Sequence, residues 1–245
     1  MATAASAAAL AAFTPAAASS GWVSCKAWSA LQVTSAGQHY VVRNKPSVNN
    51  NDLGMCISDP GRGPGFVVTR SPGTAPTLKV RAYPYIGTGC FEHACATGSS
   101  GATLPKAGSL GKYTVHWTTV TPPHSGVWNV SLDLWLGAKT GDGNSEVMIW
   151  LQYSKPAWWA KRSPIVTIDG TRWYVVKRPG SGNHYLSFRR ATPADGATLK
   201  IAPFMAAAER FGVVTPSERL WCTQAGFEIF SGGKGLAVKD FSVTG

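Results

Sequence analysis

Along most of the chain apolar and polar residues alternate with a period of two, the spacing of strands that bury one face. The alternation predicts strands over residues 40–43, 65–69, 112–118, 127–136, 146–152, 173–177 and 184–189. Turns rich in Gly and Pro separate them, and Pro179-Gly180-Ser181-Gly182-Asn183 reads as a hairpin connection. One segment departs from this period. Between Lys200 and Gly212, the residues Ile201, Phe204, Met205, Ala208 and Phe211 recur at helical spacing, with Pro203 suited to a first turn and Gly212 to a stop. Glu209 then falls on the opposite, solvated face. Many short strands and one helix imply an all-β sandwich. The 245 residues show no internal repeat and no low-complexity linker after residue 20, so residues 21–245 read as a single domain.

Alternate side chains of a strand point to opposite faces, and this sorts the chain's 12 acidic residues. In Asn129-Val-Ser-Leu-Asp-Leu-Trp135, Val130, Leu132 and Leu134 form a core face, and Asp133 shares the other with Asn129, Ser131 and Trp135. In Glu146-Val-Met-Ile-Trp-Leu151, Val147, Ile149 and Leu151 turn inward, and Glu146 sits with Met148 and Trp150. In Gly226-Phe-Glu-Ile-Phe230, Phe227 and Ile229 turn inward, and Glu228 joins Gly226 and Phe230. Each carboxylate therefore shares a face with aromatic side chains, where a solvated face would carry Lys, Thr and Ser. Sugar rings present apolar C–H faces, so carboxylates set among aromatics fit a polysaccharide site. Retaining hydrolysis of a glycosidic bond needs two carboxyl groups about 5–5.5 Å apart, one as nucleophile and one as acid/base. Periodicity leaves open whether these strands are neighbours and which Glu plays which part; partly exposed structural acids are the alternative.

The motifs themselves resemble glycoside hydrolase family 12. Glu146-Val-Met-Ile-Trp-Leu151 resembles the family's nucleophile strand, in which Glu-x-Met-Ile-Trp recurs. Gln224-Ala-Gly-Phe-Glu228, followed by Gly232-Gly233 and Gly235-Leu-Ala-Val238, resembles its acid/base strand, and Asp133 in Ser131-Leu-Asp-Leu-Trp135 corresponds to its helper carboxylate. Tyr83-Pro84, Gly89-Cys90 and Cys95 match the family's Tyr-Pro segment and small disulfide loop, and Cys25-Lys-Ala-Trp28 looks like its Cys-x-x-Trp. The resemblance runs from about residue 22 to 245 in order. It implies a jelly-roll β-sandwich of two antiparallel sheets, the concave one forming an open cleft, with one helix packed on it. It further implies endo-hydrolysis of β-1,4-glucosidic bonds with retention, with no metal or organic cofactor. Glu146 would be the nucleophile and Glu228 the acid/base, with Asp133 hydrogen-bonded to Glu146. Substrate contacts are expected from Trp28, Asn44, Trp135, Met148, Trp150, Trp158 and Phe230. Cellulose-type glucan, mixed-linkage β-glucan and xyloglucan all remain open as substrates.

Two segments depart from the family pattern. The family's Asn-Asn-x-Trp-Gly after the second strand is replaced by Arg43-Asn-Lys-Pro-Ser-Val-Asn-Asn-Asn-Asp-Leu-Gly54. With Asn44-Lys45 or Asn50-Asn51 aligned there, Ser47 or Leu53 stands where the Trp belongs. The usual Pro-Ile-Gly loop is replaced by Lys155-Pro-Ala-Trp-Trp-Ala160, whose Trp158 and Trp159 either form a new stacking platform or cover a sandwich edge. Both changes flank the cleft and bear on substrate preference.

The cysteines and the N-terminus bear on compartment. A disulfide would close the short loop Cys90–Cys95, and Cys25 with Cys56 would staple the N-terminal strands; a metal site on Cys90, His93 and Cys95 competes but lacks a second ligand pair. Cys222 is left over, a small buried hydrophobe. Residues 1–20 are rich in Ala and uncharged, with a small-residue pattern at Ala16-Ala17-Ala18. They read as a secretion signal without its basic start, or as a flexible tail; the cysteines favour export. The net charge of +11 is scattered, without a dense basic run or nucleic-acid motif, so solubility or attraction to acidic cell-wall material explains it better than nucleic acid does. No membrane partner is expected, and the protein is expected to be a monomer. His93, His124 and His184 share no motif, Ser131 has no triad partners, and the Gly-rich stretches lack the setting of a phosphate loop.

Three rival functions remain. A non-catalytic carbohydrate-binding module would keep the aromatics but has little reason to keep three acids on cleft faces. A xylanase of the related jelly-roll family does not usually read Glu-x-Met-Ile-Trp. A basic-surface binding protein explains the charge and none of the motifs.

Overall fold

The computed structural model describes residues 21–46, 54–73, 79–99, 104–137, 145–155, 163–178 and 184–245. Its strands are β1 (Val23–Ser24), β2 (Ala30–Ser35), β3 (Gln38–Arg43), β4 (Cys56–Ser58), β5 (Phe66–Arg70), β6 (Tyr85–Phe91), β7 (Ala94–Cys95), β8 (Thr114–Val120) and β9 (Gly126–Gly137). There follow β10 (Ser145–Tyr153), β11 (Ile165–Ile168), β12 (Thr171–Arg178), β13 (His184–Arg190), β14 (Gly196–Lys200), helix α1 (Ala202–Arg210), β15 (Arg219–Gly232) and β16 (Ala237–Thr244). All seven segments with period-two alternation fall on strands, and the segment with helical spacing contains α1.

The strands form a jelly-roll sandwich of two sheets. The smaller runs β1-β4-β5-β16-β8-β14; the larger runs β11-β12-β13-β10-β9-β15-β6-β3-β2, with β7 folded onto β6. One pair departs from the antiparallel expectation: β10 and β13 are parallel. The chain leaves β10 for the far edge, builds β11 and β12 there, and returns to lie beside β10 in the same direction. A direct hairpin between neighbours would have been antiparallel.

The core between the sheets takes the faces that alternation assigned to it. Val130, Leu132, Leu134, Val147, Ile149, Leu151, Phe227 and Ile229 are wholly buried in one cluster with Phe66, Trp117 and Phe241 of the smaller sheet. Helix α1 closes the β12–β13 end, its Phe204 meeting Trp173 and Phe188 edge to face at 5.1 and 5.3 Å. Glu209, on the far side of α1, is partly exposed. With one face sealed, every alternate side chain of β9, β10 and β15 is committed to the outer face of the large sheet.

Register shifts interrupt β15 between Leu220 and Cys222 and between Ile229 and Ser231, and β10 between Trp150 and Gln152. Such bulges bend a strand and sharpen its twist. Between them β6 approaches β15 so closely that a Cβ at Gly226 would stand 2.2 Å from the Pro84 carbonyl oxygen. Gly226→Ala is therefore expected to force β6 and β15 apart and to lower stability by about 1–3 kcal/mol. Thermal denaturation would register this as a fall of several degrees, and an unchanged midpoint would contradict the close packing.

Candidate functional site

Register places the outer-face residues in rows across the large sheet. Arg178 lies opposite Tyr185, Tyr185 opposite Glu146, Glu146 opposite Trp135, and Trp135 opposite Cys222. The next row is Val176, Ser187, Met148, Asp133 and Gln224. The third is Tyr174, Arg189, Trp150, Ser131, Gly226 and Tyr85. Glu228 lies one row further, opposite Asn129. The three carboxylates singled out by alternation thus sit on three adjacent strands, β10, β9 and β15.

Glu146 and Glu228 are offset by six residues along β9 (Trp135 to Asn129), which in a flat sheet is about 20 Å. They nevertheless feel one another's charge, and Glu228 also raises the pKa of Tyr185, the residue opposite Glu146. The register shifts in β10 and β15 bend the strands that carry these groups.

Each carboxyl is shaped by burial first. Asp133 is pushed up to about 7 by burial, against the pull of Lys45 and of the Trp135 indole, whose Nε1–H donates to Oδ2 at 2.8 Å; Glu228 and Glu92 push it up. Glu146 keeps part of its surface open to solvent, yet its carboxyl is raised well above the usual range by burial and by the charges of Asp133 and Glu228. Arg178 and Lys45 oppose that rise. Glu228 is raised by burial and pulled back by Asn129, Arg178 and Arg189. Asn129 grips Glu228 twice: Nδ2 donates to Oε2 at 2.5 Å, and Oδ1 accepts the Glu228 backbone N–H at 3.3 Å.

Aromatic rings and cations form the walls. Trp135 stacks on Phe91 at 4.5 Å and 23°, and Lys45 Nζ lies 4.8 Å from the Phe91 ring while pairing with Glu92 at 2.9 Å. Arg43 donates to the Glu92 carbonyl at 2.9 Å and lies over Trp28 at 5.4 Å. Trp150 is covered by the Arg189 guanidinium at 3.8 Å, and Met148 forms the floor, accepting the Tyr185 hydroxyl on its sulfur at 3.5 Å. Phe230 is half-buried near the end of β15. Asn44 is spent on the loop, its Nδ2 donating to Met55 at 2.9 Å and to Lys26 at 3.3 Å. The chain runs on from Asn44 through Lys45, whose carbonyl accepts the Tyr83 N–H, to Pro46 beside Ala82, while the alternative pair Asn50-Asn51 lies outside the described residues. Ser47, Leu53, Trp158 and Trp159 lie outside the described residues.

Cys90 is bonded to Cys95 and Cys25 to Cys56, which consumes the thiols that a metal site at Cys90 and Cys95 would need. Cys222 is a free cysteine, buried on this face opposite Trp135.

Comparison with known proteins bears directly on this arrangement. The pattern of Glycosyl hydrolase family 12 matches residues 68–244. The chain belongs to that family. A metagenome-derived family 12 endoglucanase has the same fold, with a TM-score of 0.80 and 29% identity over 91% of this chain and 97% of that one. Endoglucanase Cel12A from Rhodothermus marinus follows at 0.78 and 30%, over 92% and 98%. A probable cellulase, Cel12b of Mycobacterium tuberculosis, is 28% identical over 128 residues, 49% of this chain and 82% of its own. Family 12 membership makes the chain a glycosidase with a polysaccharide substrate.

Several residues of this family 12 site were not singled out by alternation. Asn129 was assigned to the right face without a task; its grip on Glu228 depends on the β9–β15 register. Gln224, opposite Asp133, is buried with no hydrogen-bond partner for its amide among the described residues. Arg178, Arg189 and Lys45 read as scattered surface charge until strand order brought them round the carboxylates.

Burial favours the neutral carboxyl, so Asp133 contributes most to stability below its unfolded pKa of about 3.9, and the contribution is lost as pH rises through its folded value of about 7. The thermal midpoint should fall between about pH 4 and pH 7.5. Asp133→Asn should flatten that fall, matching wild type near pH 4 and exceeding it by several degrees near pH 7.5. Calorimetry at the two pH values checks this, and parallel curves for both proteins would contradict it.

Proposed function

We propose that the protein is an exported, monomeric, endo-acting β-glycanase that hydrolyses β-1,4-glucosidic bonds with retention of anomeric configuration. The observation that carries this reading is the placement of Glu146, Asp133 and Glu228 on three adjacent strands, on the one face of the large sheet that also bears Trp135 and Trp150. Retention asks for two carboxyl groups close together, with opposite protonation at the start of the cycle. Buried carboxyls near one another push their pKa values apart, so the trio cannot be fully ionised.

Glu146 acts as nucleophile. With a proton held on Asp133, the repulsion on Glu146 falls, and Arg178 and Lys45 favour its carboxylate. Trp135 occupies Oδ2 of Asp133 and leaves Oδ1 for a proton shared with Glu146. The Glu146 carboxylate attacks the anomeric carbon as the C–O bond to the leaving sugar breaks, and Glu228 gives its proton to the departing oxygen. Glu228 then takes a proton from water, whose oxygen attacks the anomeric carbon and releases Glu146. Asn129 fixes Oε2 of Glu228 and leaves Oε1 for this transfer. Trp28, Trp135, Met148, Trp150 and Phe230 line the path of the glucan. Trp135 also holds Asp133, and Asn44 acts on substrate only through the loop it pins.

The substrates of choice are cellulose-type glucan, mixed-linkage β-glucan and xyloglucan, in line with the endoglucanases to which the chain is similar. The two disulfides support export.

Reducing-sugar release from barley β-glucan, carboxymethyl-cellulose, xyloglucan and xylan tests the reading. Glu146→Ala and Glu228→Ala should each lose about 10²–10⁴-fold or more in kcat on the glucans. Added azide separates the roles. Glu228→Ala should yield the β-glycosyl azide, formed from a glycosyl-enzyme on Glu146, and Glu146→Ala the α-glycosyl azide. The reverse pairing would exchange the two assignments, and full activity in either variant would overturn the mechanism.

A further inference from the structure

The cations around the cleft are not held alike. On the β3–β6 wall, Lys45 is matched by Glu92 at 2.9 Å, and Arg43 is tied to the Phe91 and Glu92 carbonyls. On the opposite wall stands Arg178, at the end of β12 and exposed. It makes no ion pair among the described residues. Its guanidinium carbon lies over Tyr185, 4.5 Å from the ring centre, and Tyr185 is the residue between it and Glu146 in the row across the sheet. A guanidinium set over a ring still carries N–H donors at its edge, and that fork matches a carboxylate with two parallel hydrogen bonds.

A second fixed charge stands behind it. Arg189 is buried on the same wall, its guanidinium on the Trp150 ring and its Nε donating to Ser187 at 3.0 Å. Both arginines lower the pKa of Glu228, so this wall of the cleft is positive within reach of the reacting groups. The whole chain carries +11, which draws an acidic polymer toward it. A neutral glucan offers such a wall only hydroxyls.

We propose that Arg178, backed by Arg189, is a specificity residue that receives a carboxylate borne by the glucan, as in a glucuronosyl or carboxymethyl substituent. The inference rests on the β-glycanase reading. The effect of Arg178 on Glu146 and Glu228 is common to every substrate, so it cancels when two polymers with the same backbone are compared.

The experiment measures KM on carboxymethyl-cellulose and on neutral hydroxyethyl-cellulose for wild type, Arg178→Gln and Arg178→Lys. The ratio of the first KM to the second should rise about fivefold in Arg178→Gln and less in Arg178→Lys. Salt at about 0.5 M should erase most of the difference between wild type and the Gln variant. A ratio that stays constant across the three proteins overturns the proposal, and shows that Arg178 acts through the glutamates alone or not at all. If neither polymer is cut, the β-glycanase reading fails separately, and affinity electrophoresis in gels containing each polymer still decides the inference. Retardation by carboxymethyl-cellulose that Arg178→Gln loses supports it; equal retardation of both proteins overturns it.

Discussion

The rest of the structure answers to one costly arrangement: three carboxyl groups on one face, two of them buried and the third largely so, with repulsion among them. Asp133 and Glu228 are 4% and 9% exposed, and burial is the first cause of every upward shift among the three. Charges so placed are unfavourable unless protons are shared or counter-charges stand near. The site supplies both. Protonation is made easy, and Lys45 and Arg178 stand near the group without forming a direct ion pair with Asp133, Glu146 or Glu228 among the described residues, while Arg189 adds a further positive charge. A direct pair would have pinned a carboxylate in its ionised form and removed it from proton transfer.

The sandwich makes this affordable. A continuous apolar layer on the inner face of β9, β10 and β15 leaves their outer side chains no freedom to change faces. The bulges in β10 and β15 bend the strands that carry the acids. Neighbouring contacts then fix individual groups: Asn129 orients Glu228, and a chain of contacts from Glu92 through Lys45, Phe91 and Trp135 ends on Asp133.

The fold was legible along strands whose core face is apolar and whose other face is polar, although β2 and β14 share that pattern, with Leu31, Val33, Ala197 and Leu199 against the core, and were not assigned. Strands β9, β10 and the middle of β15 are largely buried on both faces, yet an apolar core face alternates with one that carries polar and acidic side chains, and the three acids came out opposite the core. Alternation failed where that contrast is missing. Strand β6 is buried on both faces and carries Gly87 and Gly89, so it shows no period. In β16 a register shift between Val238 and Asp240 turns both Val238 and Phe241 inward, three residues apart, which breaks the alternation. Strands β1, β4 and β7 are too short for a pattern. Arg178 and Lys45 were beyond reach for a different reason: they act across strands distant in sequence, and strand order is not written in the period of any one of them. The parallel β10–β13 pair is of the same kind.

The account turns on Glu146 being the residue that takes the sugar. A 2-deoxy-2-fluoro-β-cellobioside with a good leaving group slows release of a glycosyl-enzyme enough for it to accumulate, and peptide mass spectrometry then locates it. The account predicts one added fluorocellobiosyl group, on the peptide that carries Glu146, accumulating as activity is lost. The same adduct on the peptide carrying Glu228 or Asp133 would contradict it.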